Sequence, residues 1–301
     1  MSWDSLLLII EICDLTQEKA EKIIPVIGYP DYVTNEEDPT MDEEYESYEV
    51  TQSEYFKNVI RIQIESSKNL LMILDDTVDR NQWLTSPATV NAFYSATRNQ
   101  ISFPAAILQP PFYDEAQPSS MNYGGIGMVI GHEITHGFDD MGSDYNGDGD
   151  LEKWWSAESR RNFEQKSECI ERQYGDYFWP EANQKLNGKL TLGENIADNG
   201  GIRQAYKAYE KWRSVNGEDL KLPGLENFSE DQLFFLNNAQ IWCSLVRPQF
   251  AATAVATNSH SPGLFRVIGA LSNFEKFGEA YNCKRGLDKM YPNKNDSCRV
   301  W

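Results

Sequence analysis

Residues 132–136 read His132-Glu133-Ile134-Thr135-His136. On an α-helix each residue advances by roughly 100°. With His132 at zero, His136 then lies at about 40° and Glu133 at about 100°, so all three side chains leave one side of the helix. Two imidazoles one turn apart can chelate a single zinc ion, and a carboxylate beside them can take a proton from water that the metal activates. The chain has three histidines and this pattern uses two of them, which argues against a chance spacing on a surface helix. A hydrolytic zinc also needs a third protein ligand and one open position. Glu194, in Gly193-Glu194-Asn195-Ile196-Ala197-Asp198, is the candidate. Asp198 sits four residues on, on the same helical face, where it could accept the spare N–H of a ligating imidazole. An ordinary exposed acidic pair has the same spacing, so pattern alone leaves both readings open. His260, in His260-Ser261-Pro262-Gly263-Leu264-Phe265-Arg266, is either a structural histidine or the N–H donor that holds a tetrahedral oxyanion. Arg266 suits bidentate binding of a carbonyl or carboxylate. Spacing alone brings neither residue to the metal.

These residues need elements to position them. The two histidines belong to a glycine-rich helix expected over about 124–138, and Glu194 opens one expected over 194–213. Gly124, Gly125, Gly127 and Gly131 each cost a helix about 1 kcal/mol relative to alanine, so they fit best where backbone or substrate comes close. Val90–Tyr94 and Ile101–Phe103 read as short strands separated by a turn. Further helices are expected near 152–174 and 229–246. Upstream, Asp14 and Gln17 form a capping-box pattern opening a helix over 14–27, and Gly28-Tyr29-Pro30-Asp31 is a turn. Residues 36–49 are acid-rich and read as a solvated loop. Phe56, Val59, Ile60, Ile64, Leu70, Leu71 and Leu74 recur at helical spacing in an amphipathic helix ending near Arg80. Asp144–Asp150 resembles the start of a calcium loop, but the twelfth position is Trp155 where a bidentate Glu is required, so a tight turn is expected instead.

Composition bounds the function. The formal charge of −19 excludes nucleic acid and anionic lipid surfaces as expected partners, since both need a basic face. Hydrophobic residues at 41% are enough for a sizeable core. Leu6–Ile10 is too short to span a bilayer and is flanked by Asp4 and Glu11, and no basic start precedes it as a signal peptide would require. Cys13, Cys169, Cys243, Cys283 and Cys298 show no C-x-x-C spacing, which excludes a structural zinc cluster built from that motif. Asn227-Phe228-Ser229 and Asn295-Asp296-Ser297 permit glycosylation.

Longer stretches carry a resemblance. Val90–Ser95, Phe103-Pro104-Ala105-Ala106-Ile107-Leu108-Gln109-Pro110-Pro111-Phe112 and Tyr123-Gly124-Gly125-Ile126-Gly127 lead into the His-Glu helix. Thr191–Gly201, His260-Ser261-Pro262 and the terminal Cys298-Arg299-Val300-Trp301 follow in order. The chain is similar, from about Glu18 to Trp301, to the neprilysin and endothelin-converting-enzyme family of zinc endopeptidases, peptidase family M13.

The resemblance implies an α+β, predominantly helical, thermolysin-like zincin domain with a small β-sheet and the His-Glu helix at its active site. It implies one zinc held by His132, His136 and Glu194, with Glu133 as general base. Asp198 would orient the first histidine, and His260 would stabilise the oxyanion. Asn91 and Ala92, on an edge strand, would hold a peptide backbone as an added strand, and Arg266 would grip the carbonyl on the leaving-group side. Ile107, Phe112, Met128, Val129, Ile241 and Trp242 would form a pocket favouring cleavage before a large apolar residue. Peptides are thus the implied partners, at an extracellular or cell-surface location, since full-length members are membrane-anchored ahead of a large helical domain. Residues 1–86 are then expected to be a remnant of that helical domain and residues 87–301 the catalytic domain. A Cys169–Cys298 disulfide is implied, with Cys243 and Cys283 lacking the upstream partners they have in the family. Asn258 departs from the family's usual Asp two residues before the oxyanion histidine, which is expected to lower the pKa of His260 or loosen its orientation. Two functional readings follow: an active zinc endopeptidase, or a truncated, non-catalytic fragment that binds zinc or peptide without turnover.

Overall fold

The computed structural model describes residues 14–301, so the Leu6–Ile10 run and Cys13 lie outside the described residues. Residues 14–21 form α1. Where a single helix to residue 27 is expected, the chain instead turns and enters strand β1, Ile24–Gly28. Pro25 explains the difference: inside a helix it would remove a hydrogen bond and clash with the preceding turn. Ile24, Val26 and Ile27 around it are β-branched and favour the extended state.

Strands β2 (Phe93–Ser95) and β3 (Gln100–Pro104) complete a three-stranded sheet of order β1-β3-β2. β1 pairs parallel with β3, in the register Ile24 to Gln100 through Gly28 to Pro104. β2 pairs antiparallel with β3, Phe93 opposite Ser102 and Ser95 opposite Gln100. The central strand is buried along its whole length, and β2 is left as an edge. The sheet therefore joins residues from both sides of position 87.

Helices make up most of the rest. α2 (Thr40–Tyr45) and α3 (Tyr55–Met72) precede the sheet. α3 stops short of Arg80, whose guanidinium instead donates to the carbonyls of Lys22, Arg98 and Gly147. α4 (Ser119–Asn122) runs through a wide π-helical turn, Tyr123–Gly127, into α5 (Met128–His136). α6 (Ala157–Gly175) is capped by Ser156, whose hydroxyl accepts from the Ser159 N–H. A short hairpin, β4 (Phe178–Trp179) and β5 (Gln184–Lys185), leads to the long α7, Leu192–Asn216. α8 (Glu230–Gln240) opens with a Ser229–Gln232 capping box. It ends earlier than residue 246 because the chain tightens after Gln240 and Pro248 then fixes the start of α9 (Pro248–Thr257). α10 (Gly263–Ser272) and α11 (Glu275–Ala280) complete the chain of elements.

Met128 of α5, Ile202 and Tyr206 of α7, Phe234 and Phe235 of α8 and Leu271 of α10 form the main core. Each such side chain contributes about 1.5–3 kcal/mol by leaving water, so the helices that carry the site are packed rather than hung from loops. A second core joins α6, through Phe163, Ile170 and Tyr174, to Ile196 of α7 and to Val300 near the C-terminus. Cys169 and Cys298 are joined by a disulfide across this core, while Cys243 and Cys283 are free. Trp301 stacks on Phe163 and meets Phe138 edge-on, so the C-terminal segment sits beneath the end of α5.

Candidate metal centre

α5 and α7 cross at contact distance, and glycine makes this possible. A Cβ on Gly131 would lie 2.6 Å from the Gly201 carbonyl oxygen, and one on Gly201 would lie 2.6 Å from the His132 nitrogen. Gly124 and Gly125 are likewise pressed against the backbones of Phe234 and Phe112, whereas Gly127 has ordinary room. The crossing brings the first turn of α7, with Glu194, over the histidines of α5.

His132 Nε2 and His136 Nε2 lie 3.0 Å apart. Glu194 Oε2 is 3.3 Å from the first and 3.5 Å from the second. Both imidazoles are held from behind: His132 Nδ1 lies 2.9 Å from Asp198 Oδ1, and His136 Nδ1 lies 2.6 Å from Asp139 Oδ2. A proton on each Nδ1, donated to these carboxylates, leaves two Nε2 lone pairs facing each other with a carboxylate oxygen as the third corner. Glu194 Oε2 is buried without a hydrogen-bond donor of its own. Three converging lone pairs need a cation between them, and a triangle of this size is what tetrahedral zinc with ligands at about 2.0–2.2 Å requires. The donor set therefore fits one zinc ion, with one coordination position left toward the cleft.

The surroundings favour positive charge here. Burial alone would lower the proton affinity of His132, but Asp198 and Glu194 outweigh it and raise its pKa. His136 behaves alike, with Asp139 and Glu194 overcoming burial to lift it well above the ordinary value. Burial would push the Glu194 carboxyl up, yet the two histidines hold it well below the usual carboxylate range. Asp198 is fully buried, and the Arg266 guanidinium, with His132, keeps it ionised against that burial. Glu133 differs: burial raises its pKa, and among the described residues no side chain or backbone donor pairs with it. It is a carboxylate with elevated proton affinity facing the same cleft as the metal ligands.

Asp139 was not among the residues singled out from sequence. Its signal is there, since it follows His136 by three residues and so stays within one turn of it, the same logic that points from Glu194 to Asp198.

The cleft has a volume of about 510 Å³ and is lined by His132, Glu133, His136, Glu194, His260 and Arg266 among others. His260 Nε2 lies 3.1 Å from Glu194 Oε2, so the third histidine does reach the metal centre. Asn258 Oδ1 accepts from the His260 backbone N–H at 2.9 Å and faces its Nδ1 at 3.3 Å, so the amide still orients the ring. Burial lowers the pKa of His260. Arg266 is buried, donates twice to Asp198 at 2.8 and 2.6 Å, and lies over the Trp242 ring. Asn91 and Ala92 line the cleft immediately ahead of β2 rather than within it. Ile107, Phe112, Met128, Val129 and Trp242 form its apolar wall. Ile241 is not among the cleft-lining residues: it packs against the buried cluster that contains Ile107 and Val129 and lines a neighbouring cavity of about 640 Å³ instead. That larger cavity shares Trp242, His260 and Arg266 with the cleft but contains none of the three ligands.

Residues 91–298 match the model of peptidase family M13. Over 286 residues the chain is 51% identical to membrane metallo-endopeptidase-like 1 of Mus musculus, covering 95% of this chain and 37% of that protein. It is 50% identical to neprilysin of Homo sapiens over the same length, covering 38% of that protein. The chain thus spans little more than a third of the curated relatives it matches. Among solved structures, the Mycobacterium tuberculosis zinc metalloprotease ZMP1 in complex with an inhibitor superimposes with a TM-score of 0.87 at 34% identity, covering 97% of this chain and 43% of that one.

Proposed function

The chain belongs to peptidase family M13, and from that premise we propose that it is the catalytic portion of a zinc-dependent metalloendopeptidase that hydrolyses small extracellular peptides. The observation that carries the reading is the convergence of His132, His136 and Glu194 beside an unpaired, buried Glu133. His132, His136 and Glu194 would hold the zinc, which when bound supplies Lewis-acid activation of water and of the scissile carbonyl.

The chain's own residues do the rest. Glu133, with its raised proton affinity, takes a proton from the attacking water and returns it to the leaving nitrogen. His260, at the rim of the same site, donates to the oxyanion. Asp198 fixes the tautomer and tilt of His132 and also anchors Arg266, whose position on the cleft wall suits a grip on the carbonyl on the leaving-group side. The edge position of β2 supports alignment of a peptide backbone beside Asn91 and Ala92. The apolar wall of Ile107, Phe112, Met128, Val129 and Trp242 favours a large apolar side chain just after the cleaved bond.

Exposed apolar residues along α3 and the turn after it, among them Phe56, Leu70, Leu71 and Leu74, support residues 1–86 as mainly the remnant of a covering helical domain. β1 and α1 are the exception, since they pack into the catalytic part. An extracellular or cell-surface position is part of the same proposal. Among the described residues no helix is long and apolar enough to cross a membrane.

Glu133→Gln tests the reading. The variant should keep one zinc per chain and lose about 10²–10⁴-fold in turnover of a fluorogenic peptide. Loss of the metal in that variant would show that Glu133 is a ligand rather than the base. A wild-type chain that binds zinc without any turnover would favour the non-catalytic fragment.

A further inference from the structure

Lys19 lies in α1, outside the segment that carries the chemistry, and its side chain is almost completely buried. An ammonium group in such a place is expensive unless its donors are used. Its Nζ donates to the Gly142 carbonyl at 2.7 Å and the Tyr145 carbonyl at 2.6 Å, and sits beside the Phe138 and Trp154 rings. Among the described residues no carboxylate forms an ion pair with it.

Gly142 is the residue through which this contact reaches the metal centre. Its carbonyl accepts from Lys19, and its own N–H donates to Asp139 Oδ1 at 2.7 Å. The other oxygen of that carboxylate, Oδ2, holds His136 Nδ1. Gly142 is also pressed against the backbone of the ligand itself, since a Cβ there would collide with the His136 carbonyl oxygen. The backbone of α1 is tied to the same turn as well: Asn99 Nδ2 donates both to the Lys19 carbonyl and to that of Gly147, each at 3.0 Å.

We infer that Lys19 is a positioning residue of the metal centre, pinning through Gly142 the turn whose Asp139 orients the second histidine ligand. The inference rests on the metallopeptidase reading of the site. The 142–150 turn, which resembles a calcium loop without being one, thereby docks on α1 and holds Asp139 in place. α1 is in turn part of the working catalytic unit.

The test uses the full chain, with zinc alone as the probe and a competing chelator to read affinity. Lys19→Met keeps the length and apolar stem but removes the donors. It should weaken zinc binding several-fold, by less than the about 10–100-fold that losing the group directly behind a ligand costs. The visible bands of the cobalt-substituted protein should shift with it, and KM for a fluorogenic peptide should change little. In an Asp139→Asn background, Lys19→Met should add much less, because both act through His136. A folded Lys19→Met chain with unchanged zinc affinity and an unchanged cobalt spectrum would overturn the inference, as would full additivity with Asp139→Asn. Should Lys19→Met fail to fold, Lys19→Leu, which likewise removes the donors, is judged by the same zinc and cobalt readouts. A wild-type chain that takes up no zinc defeats the metal-centre reading and this inference together, whereas wild-type binding that the Lys19 variants leave intact defeats only the inference.

Discussion

Replacing Gly201 by Ala strains the helix crossing beneath the site with the smallest chemical change. The added Cβ would lie 2.6 Å from the His132 nitrogen, 2.9 Å from the Met128 carbonyl oxygen and 3.0 Å from the Gly131 carbonyl carbon. Ordinary contact begins near 3.4 Å, so α5 and α7 must separate by about 0.8 Å. All three atoms are backbone, so no side chain can swing aside to relieve the contact. Metal–ligand distances tolerate roughly ±0.2 Å, and Glu194 rides on α7 while both histidines ride on α5. A shift of this size therefore moves the third ligand out of bonding range before the helices unpack. Overpacking of this kind costs about 1–3 kcal/mol, which, if it falls wholly on metal binding, weakens zinc affinity about 5–150-fold. Gly127→Ala is the matched control. Its Cβ would meet nothing nearer than 3.5 Å, so it should bind zinc normally and gain some stability from helix propensity. Chelator competition on both variants, with peptide hydrolysis in parallel, measures the difference. Wild-type zinc affinity in a folded Gly201→Ala chain would refute the claim that the glycine crossing sets the ligand geometry.

The Cys169–Cys298 bridge spans 129 residues, so the chain-entropy model gives it about 4–5 kcal/mol. Cys169→Ser paired with Cys298→Ser should lower unfolding stability in urea by up to that amount, and thiol mapping of the denatured, unreduced wild type should label Cys243 and Cys283 but neither Cys169 nor Cys298. Burial pushes the Lys19 ammonium from its ordinary 10.5 down to about 8, with Asp139 and Asp144 resisting. The native state then releases this proton before the unfolded chain does, so this group's contribution to stability rises with pH between about 8 and 10.5. The stability of wild type relative to Lys19→Met should grow by about 1–3 kcal/mol from pH 8 to pH 10. A flat difference across that range would show that the lysine is not buried as a charge.

Much of the centre was legible in the chain because its parts are local. The spacing of His132, Glu133 and His136 is a property of one helix, as is that of Glu194 and Asp198, and helical periodicity alone puts each set on one face. The short strands around residues 93 and 101 are equally local, and the charge of −19 needs only a count of residues. What the sequence left open was whether Glu194 and Asp198 meet the histidines, because spacing along the chain carries no information about which helices cross. The α5–α7 crossing decided that, through glycines whose meaning lies in the partner backbone rather than in their own helix. Tertiary pairing also decided that residues 24–28 are a strand, since β1 exists only by hydrogen-bonding to β3 some seventy residues on. Ile241 shows the converse: its place behind the cleft wall instead of on it depends on how α8 ends, and the pattern of apolar residues cannot tell the two sides of a wall apart. Lys19 was invisible for the same reason. A lysine on a short amphipathic helix reads as solvated until the fold buries it, and only the docking of the 142–147 turn over α1 does so.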